Sequence, residues 1–328
     1  MSNTSSERAD TPLWGRLKKT MRTYGQETVV LFALVFLVVV VGLSNPNFLS
    51  ATNLNNIVSG NAYVAVAAIG MSMVILLGHI DVSVGALIGV LASVSGLLAV
   101  GGAPIWVAWC APLVIGVVVN TVVGVLVAYA RIPAIVTTLG VLSILKGGLI
   151  TATAGVWISN LPPDFLIAQF RLFGVPSPVY FMVILTAIVA VWMRYSALGR
   201  AIYASGGNPE AARTVGIRPE RMTVFVFALH GFFVGIAAVL FGTQLQVIQS
   251  TVPSNLELTI ITASVIGGVS ILGGRGTVVG STIAAVFFAA VSSALVFMNI
   301  SAYWLRAVLG LLILATVLAD AMRRRQFQ

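Results

Sequence analysis

The sequence predicts an all-α polytopic membrane protein with about ten transmembrane helices and with both termini in the cytoplasm. Three observations support this fold class. Of the 328 residues, 59% are hydrophobic and only 8% are charged, whereas soluble domains carry roughly 25% charged residues. The apolar residues are gathered into runs whose length matches the thickness of a bilayer. The basic residues are concentrated between alternate runs, on one side of the predicted membrane.

Ten apolar runs predict the transmembrane helices. A helix needs about 20 predominantly apolar residues to cross the hydrocarbon core of a bilayer. Turn-forming residues such as Asn45, Pro104 and Pro162 separate the runs, as expected where a chain leaves the membrane. The predicted spans are 28–43, 57–78, 84–100, 105–130, 134–152, 178–193, 222–247, 257–272, 277–298 and 302–319.

These spans divide the chain into a cytoplasmic N-terminal tail, 1–27, a transmembrane domain, 28–320, and a cytoplasmic C-terminal tail, 321–328. The basic residues of the first tail, followed by an apolar run, resemble a secretory signal. That run lacks the small-residue cleavage site of such a signal. We therefore interpret it as an uncleaved first helix.

The placement of lysine and arginine orients the predicted spans. With the N-terminus inside, the inside segments hold 15 of the 18 basic residues, and Arg171 is the only one in an outside loop. The longest inside connection is 194–221, which carries five of them. Cytoplasmic loops are enriched in basic residues, so this bias predicts that both termini lie in the cytoplasm. The net charge of +9 therefore indicates topology rather than a nucleic-acid surface.

Several classes of chemistry are excluded by the residues that the chain lacks. No phosphate-binding loop of the form GxxxxGK[ST] occurs, so we expect no ATPase site. Two histidines and a single cysteine, Cys110, make a disulfide framework, a metal centre or a catalytic triad improbable. The sequence thus predicts a chain with no catalytic residues, no metal and no cofactor of its own.

Asp81 is one of the few ionisable residues beside or within a predicted span. Such residues in membranes often carry function, because an unpaired charge in hydrocarbon is costly. Asp81 precedes Ser83 and Gly85 at a break between the second and third spans. Either it forms a polar wall of a central pathway or pins a broken helix by accepting backbone N–H bonds, or it caps the third span at the cytoplasmic edge. The sequence leaves these alternatives open.

The remaining ionisable residues in or near spans have equally simple explanations. Lys146 lies about 12 residues into its span, near mid-depth at ~1.5 Å per residue, where it either faces an aqueous cavity or extends toward an interface. Glu257 begins the eighth span, where an acidic side chain complements the helix dipole. Arg306 and Asp320 lie near the two ends of the last span, where solvation at the interface is sufficient.

The inside connection 194–221 differs from the other loops because it predicts a helix of its own. Asn208, Pro209 and Glu210 supply an N-cap, a proline at the first position and an acid in the first turn. Gly216 ends the predicted helix. A short helix of this kind either docks into a groove on a soluble partner or lies on lipid headgroups.

Four segments, in order, resemble one known family, the permeases of carbohydrate-type ABC importers (the ribose, galactose, xylose, rhamnose and autoinducer-2 group). The resemblance extends over about residues 45 to 320. The segments are IDVSVG at 80–85, RIPAIVTTLG at 131–140, GRAIYA at 199–204 with GGNPEAAR at 206–213, and ELTIITASVIGG at 257–268 with GGRGT at 273–277.

The resemblance implies a permease of the bacterial inner membrane that dimerises, as a homodimer or heterodimer, over a central pathway. It also implies a periplasmic binding protein outside and ATPase subunits inside, which would bind ATP-Mg. Solute would be a small sugar or sugar-like molecule, moved by alternating access. The coupling to the ATPase would involve Gly199, Arg200, Gly206, Gly207, Asn208, Pro209, Glu210, Ala211, Ala212, Arg213 and Gly216. The translocation pathway would involve Asp81, Ser83, Asn120, Thr137, Thr138 and Glu257.

Some positions depart from the family pattern close to the expected pathway. His79 replaces a small residue before Ile80, and Thr121 stands where glycine is common after Asn120. These departures concern the solute rather than the class. The loop 157–162 favours the autoinducer-2 or rhamnose branch.

A second function class competes with the importer. Asp81, Lys146 and Glu257 would also suit a transporter driven by a proton or sodium gradient, and a passive channel is a third class. The cytoplasmic connection 194–221 favours the importer, because neither alternative needs a docking helix for a soluble partner.

Overall fold

A helical bundle makes up the computed structural model, which describes residues 25–251 and 255–301 together with residues 303, 304, 307, 308, 310, 311 and 314. Most of the tenth predicted span, 302–319, and nearly all of both predicted tails lie outside the described residues. The helices are α1 (Gly25–Ser44), α2 (Ala51–Gly60), α3 (Ala62–Leu76), α4 (Val84–Val100), α5 (Ile105–Ala128), α6 (Ala134–Thr153), α7 (Ser177–Tyr195), α8 (Ala197–Gly207), α9 (Pro209–Thr214), α10 (Pro219–Gly242), α11 (Leu256–Ile266) and α12 (Val278–Phe297).

Seven segments in the described part of the chain are long and apolar enough to cross a membrane. They are α1, α2 with α3, α5, α6, α7, α10 and α12. Two further apolar helices, α4 and α11, are shorter than the 18 residues that define these segments. The polytopic all-α class is therefore confirmed, and each of the first nine predicted spans coincides with a helix.

Two of the predicted spans are wrong in their internal structure. The span 57–78 is interrupted at Asn61, where α2 ends and α3 begins. The span 257–272 is helical only to Ile266, so α11 has 11 residues and a length of about 16 Å. The helix stops because Gly268 takes a left-handed backbone with φ of +103°, which only glycine adopts readily. The apolar residues that follow extend the hydropathy signal without extending the helix.

The centre of the bundle is formed by α3 and α10. Every residue of α3 except Tyr63 is buried, which fits a helix that is apolar on all sides. Helix α10 crosses α5 at close range through Gly116 and Gly231, since a Cβ at Gly231 would overlap the carbonyl oxygen of Gly116. Small residues permit this approach where lipid provides little driving force for helix association.

The connection between α6 and α7 holds the strands found among the described residues. Strands β1 (Arg171–Leu172) and β2 (Val175–Pro176) pair antiparallel, a small departure from the all-α prediction. An isolated bridge joins Ile158 of the same connection to Ile248, which follows α10. This bridge ties together two connections at the end of the bundle opposite α8 and α9.

Candidate functional site

The link between α3 and α4 is an irregular stretch of seven residues, 77–83, which we call the crossing segment. At its start, the Leu76 carbonyl oxygen accepts a hydrogen bond from Gly274 N at 2.8 Å, in the loop that follows α11. At its end, a Cβ at Gly85 would lie 2.5 Å from Oε2 of Glu257, in the first turn of α11. The crossing segment therefore runs alongside α11 without being helical. Irregular backbone at membrane depth is tolerated where protein buries it.

Asp81 is the central polar residue of the crossing segment and is fully buried. Its Oδ1 accepts hydrogen bonds from Ser83 N at 2.8 Å and from Ser83 Oγ at 2.5 Å. The N-cap position of α4 is occupied by Ser83, and no side chain caps that helix. Of the alternatives left open by the sequence, the capping role for Asp81 is therefore wrong. The carboxylate pins the crossing segment by accepting a backbone N–H.

The second oxygen of Asp81 faces a histidine from the middle of α10. Nε2 of His230 lies 3.3 Å from Oδ2 of Asp81, and both side chains are fully buried. The separation is within charge-pair range, but the orientation of the ring does not satisfy hydrogen-bond geometry, so Oδ2 and both ring nitrogens lack a hydrogen-bond partner among the described residues. The contact is therefore a close approach of two buried polar groups rather than a hydrogen bond.

His230 was missed by sequence reasoning, which considered histidine only as a metal ligand or a triad member. A signal was present, because His230 is the single ionisable residue beyond the first turn of the 24-residue helix α10. Room for its ring comes from Gly70 on α3, where a Cβ would lie 2.5 Å from Nδ1. Hydropathy alone does not reveal which neighbour such a residue meets.

The predicted pathway residues come together only in part. Thr138 joins Asp81 and Ser83, because its Oγ1 accepts a hydrogen bond from Val82 N at 3.1 Å. The neighbouring Thr137 donates its hydroxyl to its own helix, at Pro133 O at 3.3 Å.

Asn120 and Glu257 flank this cluster. Asn120 is fully buried on α5, and its amide has no hydrogen-bond partner among the described residues. Asn120 packs beside Gly231, the residue that follows His230, since a Cβ at Gly231 would lie 2.9 Å from Asn120 Cβ. Glu257 is half-buried in the first turn of α11, beside Gly85 at the start of α4. Five of the six predicted residues thus have a contact at or beside the crossing segment and the middle of α10, whereas the hydrogen bond of Thr137 is within its own helix.

Lys146 lies away from the cluster. Its side chain is exposed on α6, next to Gly147, whose Cβ position meets no atom within 4 Å. Arg306 and Asp320 lie outside the described residues.

The helix predicted within the connection 194–221 is confirmed as α9. Asn208 is its N-cap, and the side-chain oxygen accepts hydrogen bonds from Glu210 N at 3.1 Å and from Ala211 N at 3.0 Å. Gly216 follows the helix with φ of +84°. An ion pair between Arg213 and Glu220 connects α9 to the first turn of α10.

The rest of the connection 194–221 holds a second helix, α8, which the sequence did not predict. Ser196 caps α8 by accepting a hydrogen bond from Gly199 N at 2.8 Å. Arg200, on its exposed side, donates from Nη1 to Tyr195 O at 3.0 Å. Gly207 is the last residue of α8, so the two helices are separated by Asn208 alone.

Helix α8 contacts the end of α3, where the crossing segment begins, and the loop that follows α11. A Cβ at Gly206 would overlap the carbonyl oxygen of Leu76 and lie 3.0 Å from Gly274 N. Tyr203 donates a hydrogen bond to Gly276 O at 2.7 Å. Burial, and to a lesser extent the charge of Glu27, raise the pKa of Tyr203, so its hydroxyl stays a donor at neutral pH. Of the predicted coupling residues, Gly206 therefore contacts both the end of α3 and the loop that follows α11.

The combination of a buried polar crossing segment and an exposed helix pair fits a transport subunit, and comparison with known proteins agrees. Residues 53–317 match the family described as the permease component of branched-chain amino acid transport systems. The chain belongs to this permease family. It is 35% identical to the autoinducer 2 import system permease protein LsrC of Salmonella typhi, over 92% of this chain and 88% of the relative. LsrC of Escherichia coli O9:H4 (strain HS) is also 35% identical, over 91% of this chain and 88% of the relative.

No solved structure matches the chain. The family and its relatives identify the protein as the membrane permease subunit of a carbohydrate-type ABC importer, in the inner membrane of a bacterium. It is a transport subunit rather than an enzyme. The family implies that an ATPase and a binding protein complete the importer. The gradient-driven alternative is not favoured by these relatives.

Proposed function

We propose that this permease moves a sugar-like solute of the autoinducer 2 type from a periplasmic binding protein into the cytoplasm by alternating access. The observation that carries the proposal is 35% identity to permeases of autoinducer 2 import over 92% of the chain. In alternating access, ATP binding and hydrolysis shift the populations of outward-open and inward-open states. The description of the matched family favours a second candidate solute, a branched-chain amino acid.

The test is uptake of labelled solute by cells that lack their own importer and express this chain with its ATPase and binding protein. We expect accumulation of the autoinducer 2-type solute that is lost when the ATPase active site is inactivated. Unlabelled leucine should not compete. Competition by leucine would support the second candidate, and accumulation without an active ATPase would contradict an importer.

We further propose a topology of ten spans with both termini inside. Nine apolar helical segments among the described residues and 15 of 18 basic residues on one side support it. A cytoplasm-active reporter fused after Gly216 should be active, and one fused in the β1–β2 hairpin should be inactive. The reverse pattern would contradict this orientation.

The proposed docking site for the ATPase is the surface formed by α8 and α9. Val215 is 74% exposed at the end of α9, and Glu210 and Ala211 are exposed on the same helix. An exposed apolar residue beside capped helix turns suits insertion into a groove of a soluble partner. ATP-Mg would be bound by that partner, and this chain would bind no cofactor or metal.

The pathway proposal concerns the cluster around the crossing segment. Asp81, Ser83, Thr138, Asn120 and Glu257 lie at or beside it, and this proximity supports a role beside the solute route. Thr137 has the weakest support because its hydroxyl bonds within its own helix. A second permease copy would complete the route between the two subunits.

A tagged chain, solubilised from native membranes in mild detergent, tests the proposed partners. We expect the ATPase to co-purify in stoichiometric amount. A second, different permease in the same fraction would show a heterodimer. Absence of any ATPase, under conditions that keep other importers intact, would contradict the docking proposal.

A further inference from the structure

The crossing segment has little of its own structure to hold it inside the bundle. Its first residues continue the turn at the end of α3, where Gly78 N and His79 N donate to carbonyl groups of α3. Further along, Val82 N donates to Thr138. At its centre, the side chain of Asp81 faces His230 of α10. What holds this carboxylate therefore bears on what holds the segment.

A buried carboxylate needs a partner, because moving an isolated charge out of water is very costly. Ser83 occupies Oδ1 of Asp81 with two hydrogen bonds. His230 faces Oδ2 at 3.3 Å and is itself 0% exposed. Asp81 and His230 belong to elements separated by almost half of the chain, so their contact connects the crossing segment to the centre of α10.

The surroundings of His230 are built to accept its ring. Gly70 on α3 has no side chain, and a Cβ there would lie 2.5 Å from Nδ1 and 3.0 Å from the Cα of His230. Helix α3 thus approaches α10 closely only because residue 70 is glycine. The imidazole is held between α3 and the crossing segment and points toward the carboxylate.

We propose that His230 is a positioning residue that holds Asp81, and with it the crossing segment 77–83, inside the bundle. The expected loss of transport rests on the proposed function, whereas the expected opening of the crossing segment does not. If His230 is replaced by an apolar residue, Oδ2 of Asp81 faces no counter-group, and the segment should open toward solvent. Removing one partner of a buried pair is much more harmful than replacing both.

The first experiment measures thiol labelling of a cysteine placed on the crossing segment. The reporter is Val82→Cys, in a Cys110→Ala background because the native cysteine is exposed. We expect His230→Leu to raise the labelling rate in detergent about tenfold or more, as local opening becomes easier. His230→Gln, which keeps a polar group toward Asp81, should raise it far less. Equal rates in His230→Leu and the parent protein would overturn the proposal.

The matched control is the other histidine of the chain. His79 lies on the crossing segment, is half-buried, and its ring packs at 6.2 Å from the ring of Phe227. His79→Leu keeps that apolar contact and leaves the Asp81–His230 pair intact. The labelling rate should therefore stay within about twofold of the parent, since no buried charge loses its partner. A rise as large as that of His230→Leu would also overturn the proposal.

The second experiment uses the paired variant and decides the case in which His230→Leu does not fold. Asp81→Asn combined with His230→Leu leaves no charge at the site, so its thermal stability should exceed that of His230→Leu alone. This non-additivity is expected only for residues that interact. Additive losses, or failure of both variants to fold, would overturn the pairing.

Uptake separates this inference from the proposed function. If the parent protein imports the solute, His230→Leu should lose import and His230→Gln should keep a substantial part of it. If the parent protein imports nothing, the proposed function fails. The labelling rates and the paired variant still decide whether His230 holds the crossing segment.

Discussion

Gly206 and Gly207 are neighbours at the end of α8 whose surroundings differ sharply. A Cβ at Gly206 would overlap the carbonyl oxygen of Leu76, whereas one at Gly207 would meet its nearest atom, Gly274 Cα, at 3.9 Å. The first position is therefore closed to any side chain, and the second has room for a methyl group. Single residues of this kind determine how closely α8 approaches the start of the crossing segment.

We predict that Gly206→Ala destabilises the protein and Gly207→Ala does not. The inserted methyl group must displace backbone at Leu76, and overpacking of this kind costs about 1–3 kcal/mol. Thermal unfolding of the two variants in detergent, followed by solute uptake in cells, measures the difference. Equal melting temperatures would show that α8 moves away from Leu76 at little cost.

Asn208 is a residue whose role the sequence alone predicts correctly. Its side chain accepts hydrogen bonds from the first two N–H groups beyond Pro209, because those groups have no partner inside a helix. The signal is local, since cap and helix lie within four residues of each other.

We predict that Asn208→Ala weakens the binding of the ATPase and that Asn208→Asp does not. Loss of an N-cap costs about 1 kcal/mol of helix stability, which is a large fraction for a six-residue helix. Co-purification of the ATPase with each variant gives the measurement. Undiminished ATPase recovery with Asn208→Ala would place the docking surface elsewhere.

At the scale of elements, the crossing of α5 and α10 depends on the absence of side chains. Gly116 and Gly231 face each other so closely that a Cβ on either would overlap the other's carbonyl oxygen. Helix α6 presents the opposite case, because Gly140 on its exposed side meets nothing within 4 Å. Gly116 and Gly231 are thus required for the packing of α5 against α10, whereas Gly140 of α6 is not required for packing within this chain.

We predict that Gly231→Ala lowers the thermal stability of the detergent-solubilised chain and that Gly140→Ala leaves it unchanged or raises it. The first substitution separates two central helices, at a cost of about 1–3 kcal/mol. The second removes a glycine from a helix interior, which favours the helix by roughly 1 kcal/mol. A loss of stability in Gly140→Ala alone would show that α6 packs against a partner and that α5 and α10 tolerate separation.

Elements also show where hydropathy misleads. The run 257–272 is predominantly apolar, but α11 stops at Ile266, and the loop that follows it contacts the end of α3 and α8. Protein contacts satisfy the backbone there, as when Gly274 N donates to Leu76 O at 2.8 Å. A buried irregular segment and a buried helix have the same composition, so hydropathy does not distinguish them.

At the scale of the whole molecule, stability and coupling reside in different parts. The core is formed by tightly packed helices, whereas α9 is attached by an exposed ion pair in which the side chains of Arg213 and Glu220 are 55% and 34% exposed. An exposed pair contributes about 0–1 kcal/mol to stability. A change there should therefore affect the partner more than the fold.

We predict that Arg213→Glu abolishes ATP-dependent uptake while the melting temperature and membrane insertion of the permease stay close to those of the parent. The substitution places two carboxylates side by side and turns α9 away from α10. Combining it with Glu220→Arg restores opposite charges and should restore part of the uptake. Loss of the inserted protein in the single variant would show that α9 is structural.

The sequence by itself determined the class of the molecule, the positions of the first nine apolar helical segments and the capped turn of α9. Each depends on composition or on residues a few positions apart: hydropathy over about 20 residues, basic residues beside spans, and a cap three residues from the N–H it binds. Signals of that range need no knowledge of the fold.

Only the tertiary structure decided that Asp81 meets His230, that Gly206 touches Leu76, and that α11 ends at Ile266. These residues are brought together by packing between helices that are distant in the chain. A run of apolar residues predicts that its side chains are buried, but it does not predict which neighbour each side chain meets. The polar centre of this permease therefore depends on how its helices cross. Hydrophobicity places the apolar helices in the membrane, but small residues at the crossings determine which helices pack together.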